Sequence, residues 1–190
     1  MSATQDFIQR LQALKEGERS HLRRLAGQSL DRTLLGFDLF TGLWWPLRAR
    51  SPVAPRRLAA PRRRPSWLVA KLYGSFPIPH RSNDDAAHLP AVLGRCEREL
   101  RDERERKRFR KRFDALLESP LLSLEPHLRW ALSAAARAVA AGRAEGVDWA
   151  RLLAYLSLLD RADAACGARE GREKWAEDYL DNANQKHKEG

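Results

Sequence analysis

Apolar residues in this chain recur three and four positions apart and nowhere alternate in steps of two, a pattern that packed helices satisfy and sheets do not. Val, Ile and Thr are scarce, so few residues suit the pleated, half-buried surface of a sheet. The expected fold class is therefore all-α, a helical bundle. With 190 residues, 43% of them apolar and 32% charged, the chain suits one main core, or one core with an extended arm.

Thr4 is placed to cap a first helix with Phe7, Ile8, Leu11 and Leu14 on one face, stopping at Gly17. ERSHLRRLA, before Gly27, predicts a second helix with Leu22 and Leu25 inward. Residues 28–45 hold Leu34, Leu35, Phe37, Leu39, Phe40, Trp44 and Trp45 and read as mostly buried, with Gly36 and Gly42 interrupting their helical regularity. Five prolines and seven arginines from Pro46 to Pro65 predict a Pro/Arg-rich loop. Ser66 is the expected cap of SWLVAKLYGSF, and residues 81–88 read as a further loop.

From Pro90 a helix carries Leu93, Cys96 and Leu100 on one face, while Phe109, Phe113, Leu116 and Leu117 form a second stripe. Leu100 and Phe109 are nine residues apart, so at about 100° per residue their faces oppose each other, and a break is expected near 101–106. Ser123 is the expected cap of an alanine-rich helix ending at Gly142, and Asp148 that of WARLLAYLSLL. A last helix around Glu170 to Leu180 turns Trp175, Ala176 and Tyr179 inward.

Charge is distributed unevenly. Residues 46–65 carry +7 and residues 104–112 carry +6, against a whole-chain net of +10, so everything else sums to −3. Such concentration points to a polyanionic partner through long-range attraction and counterion release. On KRFRKRFDALL the phenylalanines define the core side, which turns Arg104, Lys107, Arg108 and Lys111 away from it and sets Arg110 and Arg112 on the flanks. This cationic ridge and the run Arg62, Arg63, Arg64 are candidate nucleic-acid contacts; the bland alternatives are a solvated face for the ridge and a localisation-type run for the arginines. Trp44, Trp45 and Trp67 flank the Pro/Arg-rich stretch and are read as core or rim packing rather than as stacking platforms.

Catalytic patterns are sparse. The five histidines are isolated, Cys96 and Cys166 form no CxxC, and no phosphate-binding loop or nucleophile elbow is present, so neither metal nor cofactor nor enzymatic activity is expected. Asp84 and Asp85 follow Ser82 and Asn83 and read as a solvated turn rather than a Mg²⁺ site. Only two cysteines with no CxxC, no signal-peptide pattern and no long apolar run make a cytoplasmic protein, without a membrane partner, the expectation.

Several short motifs stand in a distinctive order: LRR at 22–24, LVAKLYGSFP at 68–77, LGR at 93–95, RFRKRFDALL at 108–117, LR at 128–129, VDWARLLAYL at 147–156 and REKWAEDYL at 172–180. Over nearly its whole length the chain thereby resembles the CasB family, the small subunit of the type I-E CRISPR Cascade complex. The resemblance implies a non-catalytic protein with N-terminal and C-terminal helical halves, here 1–119 with the basic loop 46–65, and 120–190. It implies CRISPR RNA and target DNA as partners, bound without sequence preference, together with other Cascade subunits and a second copy of the chain. It also implies that the subunit helps hold the guide-paired target strand and the displaced strand, stabilising the R-loop in antiviral defence. Arg23, Arg24, Arg95, Arg108, Arg112 and Arg129 become candidate backbone contacts, with Lys107 and Lys111 beside them and Arg172 in the terminal motif. ADAACGAREG at 162–171 reads as an insertion before the final helix. The alternatives are a free-standing basic DNA- or RNA-binding regulator and a nuclease using Asp84 and Asp85.

Overall fold

The computed structural model describes residues 2–29, 37–49, 61–160 and 165–184. Among these, nine α-helices occur: α1 Ala3–Gln12, α2 Glu16–Arg24, α3 Phe37–Ala49, α4 Arg63–Ser75, α5 Leu89–Arg98, α6 Glu103–Glu118, α7 Glu125–Ala140, α8 Trp149–Leu159 and α9 Ala165–Asn184. Two short 3-10 turns join them, and one isolated bridge, His80 to Val147, is the only β pairing among the described residues. No described helix is long and apolar enough to cross a membrane.

The helices fall into two compact units that are not consecutive in sequence. One comprises residues 1–77 with 149–160, the other 78–148 with 161–190, so the boundary drawn between 119 and 120 lies inside the second unit. In the first, α8 packs against α1 and α4 and supplies Leu152, Leu153 and Leu156, each fully buried. Full burial of such a side chain is worth about 1.5–3 kcal/mol, so α8 is a principal part of this core. Around α3, Phe40 stacks with Trp44 and meets Trp67 edge-on at 5.3 Å, while the two indoles donate to the Pro61 and Gln28 carbonyls. Trp44 and Trp67 are thus core residues, and Trp45 is exposed.

In the second unit α5 lies against α7, α9 and α6. Gly94 makes the α5–α9 crossing possible, because a Cβ there would run into the Tyr179 carbonyl and Asn182. Gly74 does the same where α4 crosses α2, facing the Arg19 carbonyl and Leu22. Both glycines belong to the ordered motifs, LGR and LYGSF, so these motifs encode helix packing.

Several local expectations are corrected. Ser2, not Thr4, caps α1 in a reciprocal box with Gln5, and Gly17 lies inside α2 because the chain turns earlier, at 13–15. The predicted loop 46–65 is helical at both ends: α3 runs through Pro46 to Ala49, and α4 already starts at Arg63. Pro65 fits because first-turn N–H groups have no helical partner to lose. Ser66 is consequently inside α4, its N–H bonded to the Arg62 carbonyl, and Arg62 is the N-cap. The middle of the stretch, 50–60, lies outside the described residues, as do 30–36 and Arg161. The break before the phenylalanine stripe falls at 99–102, with Asp102 accepting from the Arg104 N–H, so α6 starts earlier than KRFRKRF. Leu124 rather than Ser123 precedes α7, and residues 165–171, read as an insertion, form the first two turns of α9.

Candidate nucleic-acid interface

The basic ridge is part of α6, and its anchor is the opposite face of that helix. Phe113 and Leu116 are buried, and Phe113 stacks on Tyr179 of α9 with ring centroids 3.8 Å apart and planes 8° from parallel. Phe109 is half-buried and meets Trp130 of α7 edge-on at 4.9 Å. Beneath the helix, Arg110 donates to the buried Glu97 of α5 at 2.7 Å, and the Tyr179 hydroxyl donates to the other carboxylate oxygen. That bond holds the Arg110 guanidinium above its ordinary pKa, while burial first and Glu97 second push the Tyr179 phenol well above the ordinary phenol range. Three helices are thereby tied at one carboxylate, which sets the rotation of α6.

The rotation decides which cations face outward. Arg106 donates to the Leu100 carbonyl at 2.6 Å, Lys107 pairs with Glu103 at 3.5 Å, and Arg110 is taken by Glu97. Arg104, Arg108 and Lys111 are exposed, and their side chains make no hydrogen bond or ion pair among the described residues. Arg112 is exposed too, with its guanidinium over the Trp130 ring, 5.9 Å from the centroid. At 3.6 residues per turn these four lie within an arc of about 100° and span about 12 Å of helix, close to the axial rise of three to four phosphates on one strand. Arg129 is exposed on α7, next in sequence to Trp130. Of the seven basic side chains in 104–112, four therefore form an outward stripe.

The other candidates divide by what their guanidinium already holds. Arg23 donates to the Gly74 carbonyl at 2.9 Å, in the last turn of α4, and to Glu16 at 3.2 Å. Arg95 donates to the Ala86 carbonyl and to Asn182, and burial lowers its pKa from the ordinary value. Arg62 caps no N–H but bonds the Asp160 backbone and carboxylate; burial raises that carboxyl, and Arg62 and Arg64 offset the rise. These three arginines join elements of the fold, which limits what they offer to a phosphate. Arg24 is exposed and makes no ion pair among the described residues, Arg63 and Arg64 are exposed in the first turn of α4, and Arg172 is half-buried on α9. Arg23, Arg24 and Arg62 to Arg64 belong to the first unit, the rest to the second.

Asp84 uses its carboxylate to accept the Ala86 N–H at 2.8 Å, as a turn residue does, and no cluster of three metal-ligating side chains occurs among the described residues. The sequence reading missed two parts of the ridge's support. Glu97 lies on the α5 stripe four residues after Leu93 and three before Leu100, so an acid on an apolar face was the available signal. Trp130 lies two residues from Leu128 and is off the inward stripe of α7, which marks it as a flank residue.

A family model described as CRISPR-associated protein Cse2 matches residues 18–180. Among solved structures, CasB of M. ruber superposes with a TM-score of 0.66 at 18% identity, covering 95% of this chain and 94% of that one. A CRISPR-associated protein of the Cse2 family from Thermus thermophilus gives 0.61 at 23% identity, covering 95% and 99%. No curated protein matches by sequence.

Proposed function

Because the chain belongs to the CRISPR-associated protein Cse2 family, we propose that it acts as the non-catalytic small subunit of a type I-E surveillance complex, binding nucleic-acid backbones. The observation that carries this reading is the outward stripe of Arg104, Arg108, Lys111 and Arg112 on a helix whose other face is locked by Phe113 and the Glu97 carboxylate. Cations held on a rigid helix contact phosphates without reading base edges, so sequence specificity stays with guide pairing. R-loop formation exchanges one duplex for a heteroduplex of nearly equal stability, so a few backbone contacts are enough to tip it. Arg129 and the first-turn arginines of α4 extend the same chemistry. The partners are CRISPR RNA, target DNA, the other complex subunits and a second copy of the chain, in the cytoplasm.

The test is target-DNA capture by reconstituted complexes carrying Arg108→Gln, Lys111→Gln and Arg112→Gln together. The variant should melt and assemble normally yet capture DNA more weakly, its log–log salt slope reduced by about one for each lost contact. Wild-type capture across salt would reduce the stripe to a solvated face. Mg²⁺-dependent cleavage by the purified chain would overturn the non-catalytic reading.

A further inference from the structure

The four stripe cations are not equivalent. Arg104, Arg108 and Lys111 extend from α6 without a bonded partner among the described residues, whereas Arg112 lies over the indole of Trp130, and Trp130 is in turn braced edge-on by Phe109. A guanidinium within about 6 Å of a tryptophan centroid is attracted to the ring's π face, and tryptophan is the strongest such partner. Arg112 is exposed with its guanidinium carbon over the ring, and its N–H edge makes no hydrogen bond among the described residues. That edge is the part that grips phosphate oxygens two at a time.

We infer that Trp130 is a positioning residue for a phosphodiester seat at Arg112, holding the guanidinium in its binding pose before the nucleic acid arrives. This rests on the nucleic-acid reading above and adds to it a division of labour. Arg104, Arg108 and Lys111 supply attraction at long range; Arg112 supplies an oriented contact. Because the cation–π contact is present both free and bound, its effect on affinity is the side-chain ordering already completed in the free protein. Ordering a long side chain at an interface costs about 0.5–1.5 kcal/mol, so losing the brace should weaken binding about two- to tenfold. The charge is unaltered, so the number of counterions released is unaltered as well.

The experiment measures binding of the full chain to a mixed-sequence single-stranded oligonucleotide across salt, for wild type, Trp130→Leu, Arg112→Gln and the double variant, with thermal melts alongside. Trp130→Leu should lose about two- to tenfold in affinity with an unchanged salt slope, whereas Arg112→Gln should lose affinity and about one unit of slope. In the Arg112→Gln background, Trp130→Leu should have no further effect. An equal loss in both backgrounds would overturn the inference, because Trp130 would then be stacking on a base or acting through the fold. No loss in Trp130→Leu would overturn it too. Should Trp130→Leu melt low, Trp130→Phe carries the test: it keeps a smaller π face against Phe109, and its intermediate loss should vanish in the Arg112→Gln background. Inorganic phosphate, titrated in place of the oligonucleotide at constant ionic strength, should show no Trp130-dependent binding; if it does, the seat takes a free anion and not a backbone. Failure of the underlying reading looks different: Arg104→Gln, Arg108→Gln and Lys111→Gln together would then leave oligonucleotide binding and its slope untouched.

Discussion

Tyr179 shows how one side chain serves both core and site. Its ring covers Phe113, its hydroxyl donates to Glu97, and the same carboxylate holds Arg110, so packing and hydrogen bonding together set the rotation of α6. Tyr179→Phe keeps the stack and loses a bond to a charged acceptor, which should cost about 1–3 kcal/mol at neutral pH in denaturant titrations. The fold raises the phenol's pKa, so the protonated form is the one the fold favours. Its contribution is fully present below the unfolded phenol value of about 10 and is lost as pH rises toward the folded value. The stability gap between wild type and Tyr179→Phe should therefore narrow above about pH 10. A gap constant from pH 7 to 11 would mean that the phenol ionises equally in both states. Phe113→Ala removes the stack itself and should cost about 3–5 kcal/mol in a thermal melt, before any defect specific to nucleic acid appears.

At the scale of the element, glycines separate packing from propensity. Gly94 and Gly74 are helical positions at close crossings, whereas Gly17 is helical with open space where a Cβ would stand. Gly94→Ala should destabilise by about 1–3 kcal/mol or more, because the obstacle is the α9 backbone rather than a flexible side chain. Gly17→Ala should stabilise by about 0.5–1 kcal/mol by removing unfolded-state freedom and improving helix propensity. Denaturant midpoints of the two variants should move in opposite directions. A destabilised Gly17→Ala would mean that α2 is not helical there in solution.

For the whole molecule, the decisive feature is that α8 completes the first unit although it follows α7 of the second in sequence. A fragment of residues 1–77 lacks α8 and leaves uncovered the faces of α1 and α4 that it packs on, including Tyr73, which meets Trp149 edge-on at 5.2 Å. It should show partial helicity and no cooperative melt by circular dichroism. A fragment of 120–190 should fail likewise, because α7 and α9 would lack α5. Cooperative melting of either fragment would show that a consecutive segment is self-sufficient. Nucleic-acid binding by the full chain should be weak, indifferent to sequence and steeply salt-dependent; tight, salt-insensitive preference for one sequence would instead favour a regulator.

Helical class, the stripes of most helices, the break before Phe109 and the concentration of charge were legible in the sequence, because period and composition act locally and survive without knowledge of partners. The helix starts were less legible: Ser2 rather than the chemically similar Thr4 caps α1, and α4 and α7 start after Arg62 and Leu124, which supply no side-chain cap. The outward turn of Arg104, Arg108 and Lys111 was legible from the phenylalanine stripe, but which basic residues are taken by a partner was not. Arg108 and Arg110 are two residues apart with the same chemistry, yet Glu97, thirteen residues before Arg110, claims one and leaves the other. Arg23, Arg62 and Arg95 are likewise tied to carbonyls that only helix crossings bring near. Sequence alone determined that this chain is helical and where its charge is concentrated; tertiary structure decided which charges are available, because burying one carboxylate between three helices obliges a particular arginine to bond to it.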